Sequence, residues 1–443
     1  MRIFTVLLAV CCGAATGESP DRKEVEQTLR RALDGMAAFQ THGGWGRAYT
    51  TDGALVFGEW RLIPASWITM QPPATPKVAE VFLRAGRVLK DEALLDRARR
   101  ARDAMRSVQT ALGGFPHDAD TAAPPQRSGT FDDDTTTAVL DFFIEWWRHT
   151  GNAEDLEAVH RIGGFILTAQ YPASGGWPQS YPPPVASYGR YITFNDRNMS
   201  NIISALLKLH TLTGEARYLE SAVRGGECIL RLQGGPGEEI WAQQYDPDTL
   251  EPAWARKFEP PGYSPAESLA VCDTLIELCL ATGDERFLDP LPRAFGWYDS
   301  HRLPNGKFAR LYEPGTQRPV YGRRDRAEKV YDFEKACTGY SWQGDWYPAR
   351  AREALARIRE IGREAYLEEA GKTAPPPARG QLAERVRKVC GQLSEGGWWT
   401  RSPSGEDLEE IRRRGLPGDT PLVQTGVFCA NAHLLLDYIE AAQ

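Results

Sequence analysis

The chain has 443 residues, 42% of them hydrophobic and 25% charged, with a formal net charge of −7. That composition is ordinary for a folded protein with a large core, and the acidic balance argues against nucleic acid as a partner. The N-terminal stretch MRIFTVLLAVCCGAATGE carries one Arg, an apolar run from Ile3 to about Cys12, and then small residues. It reads as a signal peptide over residues 1–17. The apolar run is too short to span a bilayer, so the expectation is a secreted or periplasmic product with no membrane partner. Losing Arg2 with the signal takes the net charge from −7 to −8. Cys228, Cys272, Cys279, Cys337, Cys390 and Cys429 remain, scattered through apolar surroundings, and read as buried thiols rather than a disulfide framework. The seven histidines do not cluster, which speaks against zinc.

From about residue 30 the chain repeats itself. A glycine pair followed by a bulky side chain recurs as HGGWGR (42–47), LGGFPH (112–117), SGGWPQ (174–179) and EGGWWT (395–400), with a weaker QGGPGE at 233–238. Each follows a segment with helical spacing of apolar residues. A second phrase recurs as HTGNAEDLEA, LTGEARYLESA and ATGDERFLDP, in which Thr-Gly ends one helix and acidic residues open the next. Between them lie more apolar helices: TTTAVLDFFIEWW, NIISALLKLHTL and AESLAVCDTLIELCLA. Each repeat is thus an amphipathic helix plus a largely buried one, and no alternating strand run of useful length is present. The fold class predicted is all-α: an α/α toroid of about five to six helical hairpins, since one hairpin cannot hide its apolar face alone. GKTAPPPARG (371–380) reads as a loop before a last hairpin, and residues 18–443 as one domain.

Two buried helices are announced by related phrases, TFDDDTTT from Thr130 and TFNDRNM from Thr193; the third opens with SPAES and Glu267. Asp or Asn before a helix is a good N-cap, worth about 1 kcal/mol, but capping needs only one side chain. Two or three arriving together, from different repeats at one open face, make a set of hard oxygen donors suited to a cation such as calcium. Aromatics at turns, among them Trp45, Trp177, Tyr181, Tyr188, Tyr191 and Trp241, are candidates either for plugs between repeats or for stacking on sugar rings. AWARKFEPP brings Arg256 and Lys257, and FARLYEPGTQRPVYGRRDR brings Arg310, Arg318, Arg323 and Arg324. An acidic protein that binds an acidic polymer needs such forked cations.

Taken in order, SGGWPQSYP, YITFNDRNM, WAQQYDPDTLEPAWARKFEPP with PAES, FARLYEPGTQRPVYGRRDR and TGYSWQGDW resemble the family 10 polysaccharide lyases, the pectate lyases of α/α-toroid type. ITMQPPATP and TFDDDTTT fit as well, so the resemblance runs from about residue 30 to about residue 350. It implies a monomeric pectate lyase that cleaves polygalacturonate, an acidic polysaccharide, by anti β-elimination with calcium (Ca2+) as cofactor. It places the metal-linked groups at Asp196 and at Asp132 or Asp133, with Asn195 beside them, and the base at Arg324. Substrate binding falls to Arg256, Arg310 and Arg323, with Trp177 and Tyr191 as aromatic contacts. An arginine base runs against a pKa above 12 and needs cationic neighbours, for which Arg323 and the metal are the candidates. Three departures stand out. The family's NDDAM is here Asn195-Asp196-Arg197-Asn198-Met199, so Arg197 replaces a carboxylate and becomes a candidate uronate binder. Gln244 stands where the family has His, and GRDG has become GRRDR. Two rival expectations follow: hydrolysis by paired carboxylates, Asp133 with Asp196 or Glu267, and a non-catalytic homologue that only binds acidic polysaccharide.

Overall fold

The computed structural model describes residues 20–59, 61–372 and 377–441; the expected signal peptide lies outside them. Fourteen α-helices run through the described residues: α1 (Arg22–Ala38), α2 (Thr75–Leu89), α3 (Glu92–Val108), α4 (Thr135–Thr150), α5 (Ala153–Ala169), α6 (Asn198–Thr213), α7 (Ala216–Leu232), α8 (Pro265–Thr282), α9 (Leu291–Ser300), α10 (Ala349–Ile361), α11 (Arg363–Gly371), α12 (Arg379–Gly391), α13 (Gly405–Arg413) and α14 (Thr425–Glu440). The strands are only two to four residues long, in keeping with the lack of alternating runs. Of the expected loop near 371–380, residues 373–376 lie outside the described residues; α11 ends at Gly371 and α12 begins at Arg379. No described helix is long and apolar enough to cross a membrane.

Within the expected single domain the residues group into two compact units. The first draws on the residues up to Thr69, on Pro73–Met105 and on the C-terminal helices. In it α1 packs on α12 and α14, and α14 packs on α2. A four-stranded antiparallel sheet orders its strands as 400–401, 422–424, 48–50 and 56–57, with Ala48 opposite Gln424 on one side and Phe57 on the other. Ala48, Phe57, Ile411 and Leu422 bury one face of it.

The second unit holds Met70–Pro72 and the chain from Arg106 through α11. It is a row of helical hairpins. The first helices of successive hairpins pack on one another, α4 on α6, α6 on α8 and α8 on α10, while α5, α7 and α11 cover α4, α6 and α10. The sequence dictates this division. In α4 and α6 apolar side chains face several directions and are buried, whereas α7 is apolar on one side only. The Thr-Gly phrase does what its chemistry demands: Gly151, Gly214 and Gly283 sit at φ of 69°, 72° and 77°, closing α4, α6 and α8 in the left-handed region that glycine enters without cost.

The glycine-pair repeat is structural as well. Nε1 of Trp177 donates to the Ile166 carbonyl on α5 at 2.9 Å, and Nε1 of Trp241 to Ile229 on α7 at 2.8 Å. In the first unit Trp45 donates to Met36 on α1 at 3.0 Å and Trp399 to Val389 on α12 at 2.9 Å. Each of these four indoles is buried and reaches back to the helix before it. They are the plugs between repeats. This corrects one expected role: Trp177 has no exposed surface and cannot stack on a sugar.

Candidate active site

The two Thr-Phe phrases adopt one backbone conformation. Asp133 and Asp134 have φ/ψ of 48°/37° and 62°/19°; Asp196 and Arg197, their counterparts, have 51°/29° and 63°/20°. Both pairs are left-handed, which only Asn, Asp and Gly enter readily. Phe131 and Phe194, buried, anchor the two turns, and their amides donate to the carbonyls of Gln179 (2.9 Å) and Gln243 (3.0 Å) on short strand neighbours. One repeat earlier Met70 N donates to the His117 carbonyl at 2.6 Å in the same manner. The register therefore delivers one amide or imidazole per repeat to the acidic turns. Gln179 Nε2 donates to Asp132 Oδ1 at 2.6 Å, Gln243 Nε2 to Asn195 Oδ1 at 2.6 Å, and His117 Nε2 lies 3.6 Å from Asp132 Oδ2. Gln71 Nε2 donates to Asp133 Oδ2 at 2.8 Å. None of Gln71, Gln179, Gln243 and His117 was singled out from the sequence. The only signal would have been their place in the repeated phrases.

Asp132, Asp133 and Asp196 converge: one carboxylate oxygen from each lies within 4.8 Å of the others. Three like charges so placed are unstable without a counter-charge. Although Asp196 is open to solvent at its edge, desolvation of its carboxyl and the charges of Asp133, Glu267 and Asp132 push it up to about 7, with Arg310 opposing. The donors are all hard oxygens, and Gln71 adds a buried Oε1 that has no hydrogen-bond partner, on the same amide that holds Asp133. These residues fit a hard divalent cation with oxygen ligands. Asn195 also has a bracing task. Its amide donates to Asp196 and its oxygen accepts from Gln243, so it braces the aspartate and keeps one lone pair of that oxygen.

Next to the cluster stands an aromatic shelf carrying arginines. Phe258 and Tyr340 meet edge to face at 5.1 Å. Arg324 lies over Phe258 at 4.6 Å and Arg256 over the same ring at 4.9 Å; Arg310 lies over Tyr340 at 4.8 Å and over Trp346 at 5.7 Å. Arg256 grips Glu259 with Nε at 2.7 Å and Nη2 at 2.5 Å, and Arg310 Nη2 donates to buried Glu267 at 2.6 Å. Burial alone would lower both guanidinium pKa values; Glu259 and Glu267 override it and raise them. The third repeat's carboxylate thus goes to Arg310 instead of joining the other three. Arg310 Nε stays buried and unbonded.

Arg323 and Arg324, adjacent in sequence, differ. Arg323 turns to Asp325 at 3.1 Å, so its charge is offset and it cannot be the cationic neighbour expected for Arg324. Arg324 is exposed, donates Nη2 to the Gly339 carbonyl at 3.2 Å, and has no carboxylate within ion-pair reach among the described residues. Tyr191 is half-buried on the strand leading to the acidic turn. Gln244 is buried behind that turn, with Nε2 donating to Thr193 Oγ1 at 3.3 Å.

Residues 101–308 match the family model described as pectic acid lyase. The stretch contains Asp132, Asp133, Asp196, Arg256 and Glu267, and stops short of Arg310, Arg323 and Arg324. Among solved structures, the chain is similar to a D-mannose isomerase at 14% identity and a TM-score of 0.51, over 95% of this chain and 98% of that one. It is also similar to a cellobiose 2-epimerase from Bacillus thermoamylovorans, at 14% identity and 0.50, over 94% and 99%. A third is a mutant of a family 10 polysaccharide lyase from Cellvibrio cellulosa in complex with trigalacturonic acid, at 22% identity and 0.50, over 64% and 98%. No curated protein matches in sequence. The folds define the class first: the chain is an all-α protein of the α/α-toroid class. Within that class, the match of residues 101–308 to the pectic acid lyase family model supports a polysaccharide lyase.

Proposed function

We propose that the chain is an exported pectate lyase that cleaves polygalacturonate by anti β-elimination, with Asp132, Asp133 and Asp196 holding a calcium ion and Arg324 receiving the C5 proton. The observation that carries this reading is the crowded three-carboxylate cluster, which lies inside the stretch that matches the pectic acid lyase family and stands beside an arginine shelf. The related Cellvibrio lyase, of the same fold, binds trigalacturonic acid. Calcium, when bound, would supply positive charge that draws electron density from the uronate carboxylate and acidifies the C5 proton.

The chain's own residues do the rest. Gln71, Gln179 and Asn195 fix the rotamers of the three aspartates. Arg310 and Arg256, already paired with Glu267 and Glu259, hold the shelf rigid and share remaining donors with substrate carboxylates. Arg324 is placed on an apolar ring, with no carboxylate in ion-pair reach among the described residues. The same donors stabilise negative charge as it develops on the sugar acid.

Purified protein given polygalacturonate and calcium should form an unsaturated uronate, read as rising ultraviolet absorbance. Silence from the wild type, or an undiminished rate in Arg324→Ala, would refute the reading. One observation favours a second reading, hydrolysis: Asp196, raised to about 7, lies within carboxylate reach of Asp133. Saturated product ends would establish it, and binding without turnover would leave a polysaccharide-binding homologue.

A further inference from the structure

Asp273, on α8, is flanked by arginines from two neighbouring helices. Arg197 ends the left-handed turn that packs against α8, and Arg350 lies in the first turn of α10, which also packs on α8. Among the described residues none of the three makes an ion pair or side-chain hydrogen bond, and both arginines are exposed. Burial pushes the Asp273 carboxyl up, while Arg350 and then Arg197 pull it down, so both guanidinium charges are felt there. Two guanidinium charges thus act on one carboxylate with no ion pair to it, leaving one positive charge uncompensated. The repeat shows that Arg197 is not needed to build the turn. Its counterpart Asp134, in the same conformation, is tied to Thr137 of its own helix, whereas Arg197 has no such tie. Trp346, half exposed and stacked by Arg310, lies four residues before Arg350 in the chain.

We infer that Arg197 and Arg350 form a second carboxylate-binding subsite above Asp273. It takes the acid group of the sugar unit next to the one held at the aspartate cluster, and so selects runs of unesterified uronate. This rests on the polyuronate reading above. Carboxylate is the chemistry two guanidinium forks recognise, and Arg197 follows Asp196 directly, which sets the two subsites side by side.

The test is calorimetric binding to the intact, calcium-supplemented protein of trigalacturonate and of its methyl ester. The variants are Arg197→Asn, which keeps a residue at ease in the left-handed region, Arg350→Ala and their double. Each single variant should weaken trigalacturonate binding about three- to fivefold and the double about tenfold or more, as exposed charge contacts of up to ~1 kcal/mol each would give. Binding of the ester should not change, and Asp273→Asn should tighten the acid. Unaltered affinity in the double variant, or equal loss on acid and ester, overturns the subsite. Binding is read apart from turnover. A wild type that binds the acid without cleaving it refutes the lyase reading alone, and a double variant of undiminished affinity refutes the subsite alone.

Discussion

Asp196→Asn separates a metal-binding carboxylate from a helix-capping one. Asn tolerates the φ of 51° found at this position, so the backbone is not strained and the change is one of charge. The rise of the Asp196 carboxyl from its ordinary 3.8 to about 7 would amount to about 4 kcal/mol at face value. Because Asp196 is open to water at the edge of the cluster, screening reduces this to about 1 kcal/mol. The sign follows from the protonation states. Above pH 7 the folded carboxyl is ionised among like charges and the penalty is complete. Between 7 and 3.8 the folded chain keeps a proton that the unfolded chain has released, and below 3.8 both hold it. In EDTA, therefore, the Asn variant should be more stable than the wild type by about 1 kcal/mol at pH 7.5, with no gain below pH 4. With calcium the order should invert. A ligand at a hundred times its Kd stabilises by about 2.7 kcal/mol, and the variant should lose most of that. Urea unfolding monitored by Trp fluorescence, with EDTA and with calcium, reads both arms. A variant less stable in EDTA, or one stabilised by calcium as strongly as the wild type, refutes the reasoning.

The remaining predictions concern the scaffold. Glu313 accepts from Lys329 at 2.7 Å, from Tyr331 at 2.8 Å and from Thr316 at 2.9 Å, and Lys329 foremost holds its carboxyl down at about 2. A depressed carboxylate contributes stability above the unfolded value of 4.5 that is lost as pH falls toward 2. Glu313→Gln should therefore cost about 1 kcal/mol at pH 7 and nothing near pH 2, measured by unfolding across that window. Trp177→Ala, which empties a buried plug, should cost about 3–5 kcal/mol and leave the polygalacturonate affinity of the folded fraction unchanged. A loss of affinity at full stability would return Trp177 to the binding surface.

Much of the second unit was legible because its signals are local. A Thr-Gly step, an acidic opening turn and an apolar run define a helix boundary without reference to anything distant, and α4, α6 and α8 lie where those signals put them. The convergence of Asp132, Asp133 and Asp196 was legible for the same reason, since two like phrases before like helices reach like places. What could not be read depends on register. Gln179 reads as a neutral polar residue until the pairing of Thr130 with Ser180 sets it beside Asp132. Likewise nothing in a glycine-pair phrase tells whether its Trp faces sugar or protein. A carbonyl on the preceding helix decides that. Arg323 and Arg324 received different roles only from the resemblance, and their surroundings, Asp325 for the one and the Phe258 ring for the other, could not be read from the letters.

The acidic turns and the arginine shelf also solve different physical problems, which explains why one is repeated and the other is not. A cation site needs several oxygens at one point, and duplicating a helix entrance supplies them at the cost of strained left-handed residues at each copy. Opposed to it must be positive charge that does not collapse onto those oxygens. Here Glu259 and Glu267 occupy Arg256 and Arg310, while the rings of Phe258 and Tyr340 carry the guanidinium planes. Pairing in advance keeps the arginines from quenching Asp132, Asp133 and Asp196 in the free protein. Arg324, Arg197 and Arg350, with no ion pair among the described residues, would be among the cations left for the acidic polymer proposed. The net charge of −7 is compatible with the acidic substrate proposed, because the polymer would meet this local, uncompensated set.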